Sequence, residues 1–228
     1  MQLYTKIKAS HITNLSDARY FATFTEMMSF NFDSDSKNAI PITLAKDMIG
    51  WIAGPRIVGE FGSQKEEAIN QIANILQISD IQTDINLNFS KLNPIISTII
   101  QRIEINELID ADRLEALLFS QNQGIAYFLL DFSAYTWPQL QKHAYFMPTF
   151  LADLCSEYPI ILKMNFAADN VLDIVNAVQP FAIELSGGEE QKVGIRVFDI
   201  SIKFDTNSGL GTLSFILRQK AVSVLPPQ

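Results

Sequence analysis

Residues 56–76, RIVGEFGSQKEEAINQIANIL, pass from a short apolar run into an amphipathic helix, and that passage decides how the chain is read. Residues 56–61 have the compact, β-rich composition of a strand covered on both faces. Ser63 and Glu66 follow in a capping-box pattern, ahead of Ile69, Ile72, Ala73 and Leu76 at the spacing of a buried helical stripe. Residues 81–87 then form another short apolar run, so the stretch reads as one βαβ unit of a parallel sheet.

The same alternation extends in both directions. Residues 3–9 read as a strand, after which Asn14 and Asp17 cap a helix whose Leu15, Ala18 and Phe21 share a face. Residues 27–32 form a second strand, followed by a polar loop at 33–38 and a helix over 43–52. Residues 99–105, 127–132, 159–165 and 181–186 complete eight strand candidates. Between them, Leu114, Leu117 and Leu118 mark one helical face, and Val171, Ile174, Val175 and Val178 another. Short connections with right-handed crossovers make a closed (β/α)8 TIM barrel the natural arrangement, with an open doubly wound sheet as the alternative. Residues 88–98 leave little room for a helix, so the fourth helix is expected to be shortened or missing. With no repeat and no low-complexity linker, residues 1–228 are expected to form a single domain.

Hydrophobic residues make up 48% of the chain and charged residues 18%, a balance that supports a sizeable core. The formal charge of -8, without any basic run, argues against general nucleic-acid binding while leaving room for a local cationic pocket. Residues 1–10 carry two lysines rather than a secretory apolar core, and no run of about 18 apolar residues occurs, so no membrane association is expected. The single cysteine, Cys155, excludes an intramolecular disulfide and suits a reducing, cytoplasmic setting. His11 falls in the loop after the first strand, where a histidine suits proton transfer near neutral pH and a solvent-facing loop residue is the other reading, while His143 and Cys155 are expected on one helix in structural roles. The three are too few and too scattered for a transition-metal cluster, and no cofactor is implied.

The segment Lys6-Ile7-Lys8-Ala9, followed by Ile12-Thr13-Asn14-Leu15-Ser16-Asp17-Ala18, resembles the opening Lys-Ile-Cys-Gly-Ile-Thr-Asn-x-x-Asp-Ala of phosphoribosylanthranilate isomerases. Aligned by its strand, Lys8 stands at the family's cysteine, with Ser10 and His11 as a two-residue insertion. Val58-Gly59-Glu60-Phe61, Asp80-Ile81-Gln82 and Leu129-Leu130-Asp131 are similar to the family's third, fourth and sixth strands. Glu184-Leu185-Ser186-Gly187-Gly188-Glu189 is similar to its eighth. Each match is short, and their common order carries the resemblance.

The resemblance implies an Amadori rearrangement in tryptophan biosynthesis, in which an aminoaldose becomes an aminoketose by moving a proton from carbon two. The family's general base is the strand-one cysteine and its general acid the strand-six aspartate. Here Asp131 matches the acid, and Lys8 is the candidate base, provided that desolvation keeps it neutral. A buried ion-pair network of Lys8, Glu60, Lys163 and Glu184 is the other reading of these mid-strand charges. Ser186, Gly187 and Gly188 are the candidate phosphate-binding residues, with Gln82 as a further substrate contact. The alternative reading of the two glycines is a tight turn.

Several family features are missing. Met164-Asn165-Phe166-Ala167 replaces the glycines after strand seven, and Phe132-Ser133-Ala134-Tyr135-Thr136-Trp137 replaces those after strand six. Aromatic rings at Phe166 or Trp137 could plug the barrel mouth. Ser34-Asp35-Ser36-Lys37-Asn38 stands where the family has Ser-Pro-Arg. An active isomerase using Asp131 and Lys8, and a non-catalytic barrel binding a small anionic ligand or a protein partner, are therefore both open. The expected small-molecule ligand is phosphorylated.

Overall fold

The computed structural model describes residues 5–167 and 169–187, together with the backbone of residues 190–192, 195–196, 202–205 and 212–215. Eight parallel strands close into a barrel in chain order: β1 (Lys6–Ser10), β2 (Met27–Asn31), β3 (Arg56–Glu60), β4 (Asp80–Thr83), β5 (Thr98–Glu104), β6 (Tyr127–Asp131), β7 (Ile160–Lys163) and β8 (Ala182–Ser186). The final β1–β8 pairing, with Lys8 opposite Glu184 and Ser10 opposite Ser186, excludes the open sheet. Helices α1 (Leu15–Ala22), α2 (Ile42–Ile49) and α3 (Glu66–Leu76) follow the first three strands. Helix α4 (Ala111–Gln121) follows β5, α5 (Trp137–Leu140) and α6 (Pro148–Glu157) follow β6, and α7 (Val171–Val178) follows β7.

After β4 there is only a single 3-10 turn, Phe89–Lys91, where the fourth helix was expected to be shortened or missing. A cavity of about 160 Å³ lies beside β5 in this gap, lined in part by Phe89, Gln101 and Gln121. Beyond β8, β9 (Glu190–Lys192) pairs antiparallel with β10 (Ile195–Arg196), and β11 (Ile202–Asp205) with β12 (Thr212–Phe215).

The two-residue period of the strands separates two environments. On the outer side, Ile7, Ala9, Phe30, Ile81 and Ile183 pack with residues of α1 and α3, while Phe128, Leu130, Ile160 and Leu162 pack with residues of α4, α6 and α7. On the inner side, Met27, Val58, Ile100, Leu129, Ile161 and Ala182 form a filled apolar layer, as expected of a barrel that is a core rather than a pore. Arg56 lies toward the N-terminal end of this layer, where it meets Asp80 at 2.5 Å and Thr98 at 2.8 Å.

Four local expectations are corrected. Helix α3 starts at Glu66 with Lys65 at the N-cap and no side-chain cap, so Ser63 does not close a capping box; Glu66 instead accepts the Asn88 N–H. Strand β4 ends at Thr83, whose hydroxyl accepts the Ile85 N–H in the following turn. His143 lies in a turn rather than a helix, its Nδ1 accepting the N–H groups of Tyr145 and Phe146 at 3.2 Å each, while Cys155 belongs to the separate helix α6. Trp137 joins the buried layer between strands and helices, which does not leave its ring as a plug of the mouth, and Phe166 packs partly buried against the same layer. The Asn14 cap forms as expected, its side chain accepting the Asp17 N–H at 2.9 Å.

Candidate active site

Toward the C-terminal ends of the strands, the apolar layer gives way to charge. Lys8 is fully buried, and its ammonium donates to Glu60 Oε1 at 2.8 Å, Glu184 Oε2 at 2.6 Å and Ser29 Oγ at 3.1 Å. The other oxygen of Glu184 meets Lys163 Nζ at 3.3 Å, and Lys163 reaches Asp131 Oδ2 at 3.1 Å. Arg102 donates to the same Asp131 oxygen through Nε at 3.1 Å and Nη2 at 2.9 Å. It also holds Asp84 at 2.7 Å and Glu104 at 3.4 Å. Positive and negative groups therefore alternate along Glu60, Lys8, Glu184, Lys163, Asp131, Arg102 and Asp84.

These contacts decide the protonation states. Burial by itself would lower the Lys8 pKa, but the charges of Glu184 and Glu60 hold it above its ordinary value. Burial pushes Asp131 upward, but Lys163, Ser133 and Arg102 bring it down to about 2. Glu60, pushed up by burial and pulled down by Lys8 and Ser29, also lies at about 2. At neutral pH, Asp131 is therefore a carboxylate that accepts hydrogen bonds, among them the Ser133 N–H at 3.0 Å and Ser133 Oγ–H at 2.5 Å. Lys8 is an ammonium with no access to solvent. Asp131 and Lys8 form no ion pair with each other and are connected through Lys163 and Glu184.

The remaining candidates lie nearer the rim. Ser186 is exposed and stands 3.5 Å from Ser10 across the two oxygens. The Gly187 N–H donates to Ser10 O at 2.8 Å, and a Cβ at Gly187 would come within 2.9 Å of His11 O, so a glycine is needed there for close approach of two segments. This N–H is already engaged. Gly188 lies outside the described residues. Gln82 is 6% exposed, and its buried amide oxygen accepts no hydrogen bond among the described residues. A buried acceptor without a donor is costly in a folded protein and marks a position where a ligand or water would complete the bonding.

One residue of the mouth went unassigned in the sequence. Arg102 was hidden within an apolar strand, although a cation between Gln101 and Ile103 is itself a signal. His11 is half-buried with a backbone φ of 54°, in the left-handed region. Burial lowers its imidazole pKa below the ordinary value, with Glu60 and Glu184 opposing the charges of Lys163 and Lys8. Among the described residues, no group of three or more His, Cys, Asp or Glu is arranged to hold a metal ion.

A closed parallel barrel with its charged, part-buried side chains gathered at the strand C-terminal ends defines the chain as a TIM barrel with a polar mouth. No family model matches the chain. It is 29% identical over 203 residues to the N-(5'-phosphoribosyl)anthranilate isomerase of Chlorobium phaeobacteroides, covering 84% of this chain and 91% of the relative. Among solved structures, the N-(5'-phosphoribosyl)anthranilate isomerase of Pyrococcus furiosus aligns with a TM-score of 0.66 at 15% identity, over 82% of this chain and 91% of that one. The Thermotoga maritima enzyme aligns with a TM-score of 0.65 at 21% identity, over 84% and 92%. A phosphoribosyl anthranilate isomerase in complex with reduced 1-(o-carboxyphenylamino)-1-deoxyribulose 5-phosphate aligns with a TM-score of 0.64 at 21% identity, over 84% and 91%. In sequence the chain is similar to a phosphoribosylanthranilate isomerase, and it shares the barrel fold of the solved ones. Among the described residues, no helix is long and apolar enough to cross a membrane.

Proposed function

We propose that this chain, as one domain over residues 1–228, binds a phosphorylated small molecule at its barrel mouth and does not turn it over through an Asp131–Lys8 acid–base pair. The observation that carries the reading is the continuous ion-pair chain from Glu60 to Arg102. It keeps Asp131 without a proton to give and Lys8 without a free electron pair to take one. Both residues serve instead as a charged framework below the ligand. Lys163 and Arg102, with side chains 18% and 23% exposed, are the cations that an anionic ligand can reach. Gln82 supplies a buried amide oxygen still wanting a donor.

The ligand class follows from a solved isomerase of the same fold that holds a reduced, phosphorylated aminoketose. Ser186 belongs to this reading as a rim hydroxyl, and Gly187 as the residue that lets the first and eighth loops meet. Gly188 completes the proposed phosphate-binding segment.

Titration calorimetry with reduced 1-(o-carboxyphenylamino)-1-deoxyribulose 5-phosphate tests the proposal. Saturable binding to wild type is expected, weakened about tenfold in Gln82→Leu, the equivalent of one hydrogen bond of about 1.4 kcal/mol. Folded wild-type protein that shows no saturation would sink the reading.

A further inference from the structure

We propose that His11 is the proton-transfer residue of the mouth, acting as a general base at the carbon next to an imine or carbonyl of the bound ligand; this rests on the mouth being the ligand site. Three observations place it there. Its residue directly follows the C-terminal end of β1, and its carbonyl is pressed against Gly187 of the segment after β8, so the backbone is held at the rim by both strands. Its imidazole lies within electrostatic reach of Lys8 on β1, Glu60 on β3, Lys163 on β7 and Glu184 on β8, which surround the barrel axis. Its ring nitrogens make no hydrogen bond among the described residues, whereas His143 Nδ1 is occupied by two backbone donors.

The backbone supports the same assignment. Among the described residues, three non-glycine residues have positive φ: His11, Gln77 and Gln179. The last two are the C-caps of α3 and α7, where the left-handed conformation closes a helix. His11 follows a strand and caps nothing. A costly conformation retained at a rim residue whose side chain faces the charged mouth is the pattern of a functional position.

On a ring-opened imine, the neutral imidazole takes the proton from carbon two. The C–H electron pair becomes the bond between carbons one and two, and the imine π pair moves to nitrogen. The imidazolium then returns that proton at carbon one, while the enol O–H proton passes through water to the nitrogen as the enol becomes the ketone. An imine with a neighbouring hydroxyl thereby becomes an amine with a neighbouring ketone, and atoms and electrons balance. A base below the ordinary imidazole value is already neutral at pH 7. Burial lowers that value most, with Lys163 and Lys8 lowering it further and Glu60 and Glu184 raising it, and the Asp17 carboxylate of α1 stands close by across Gly187.

The experiment measures turnover of phosphoribosylanthranilate in D2O against pH, with deuterium at carbon one of the product as a second readout, for wild type, His11→Gln and His11→Gly. Affinity for the reduced product analogue is measured in parallel. The expected result is wild-type turnover with an acidic limb whose midpoint lies below the ordinary imidazole range. Turnover falls about 100-fold or more in both variants, with analogue affinity within about threefold of wild type. Wild type that binds the analogue without turnover, or variants that keep the wild-type rate and acidic limb, would overturn the assignment of His11. Failure of wild type to bind the analogue would overturn the ligand reading and this assignment with it.

Discussion

Lys8 shows how a single side chain reverses its meaning once its surroundings are known. Its ammonium satisfies two carboxylates at once, so removing it leaves Glu60 and Glu184 buried without their cation. Lys8→Met is expected to cost about 3–5 kcal/mol in urea denaturation, and a loss below about 1 kcal/mol would mean that the pair is not an obligate part of the core. His11 gives the opposite case. Replacing it with glycine removes the penalty of a left-handed non-glycine residue, so His11→Gly is expected to stabilise the fold by about 1 kcal/mol. A lower melting temperature in this variant would mean that ring contacts outweigh the backbone strain. Stability and the proposed catalytic role therefore pull His11 in different directions.

At the scale of elements, the gap after β4 has the clearest consequence. With only one 3-10 turn in place of a helix, the wall beside β5 is covered partly by Phe89, whose ring lies where a Cβ on Gly124 would come within 2.6 Å. Gly124 also has a φ of +87°. Gly124→Ala is expected to destabilise by roughly 1–3 kcal/mol, because it adds backbone strain and displaces the ring; an unchanged denaturation midpoint would show that Phe89 moves aside freely. Helices were legible where apolar positions repeat, as in α3 and α7. Their ends were less so, since Ser63 and Glu66 have the spacing of a capping box yet Glu66 bonds to a loop 22 residues away.

Over the whole molecule, acid sensitivity follows from the charged layer. Asp131 and Glu60 both lie at about 2 in the folded protein, below their ordinary values of 3.8 and 4.5. Folded-state values below the unfolded ones mean that their stabilisation is complete above about pH 4.5 and lost as the pH falls toward about 2. The urea midpoint should decline across that window, and a flat midpoint would show that these carboxylates gain nothing from their partners. The decline should be shallower in Asp131→Asn, which removes one of the two groups.

The strand count, the parallel βα alternation and the weak fourth connection were determined by the sequence, because they depend on local periodicity and on the number of residues between apolar runs; the closure of β1 on β8 was decided by the structure. The family resemblance was legible for the same reason, as short strand-end motifs in a common order. What only the tertiary structure decided is which charges meet. Lys8 bonds to partners 52 and 176 positions away, and no local pattern encodes that pairing. The barrel's closure and inward register bring Lys8, Glu60, Glu184, Lys163, Asp131 and Arg102 into one ion-pair chain. Low-dielectric burial then sets their protonation states, and with them the chemistry each residue can perform.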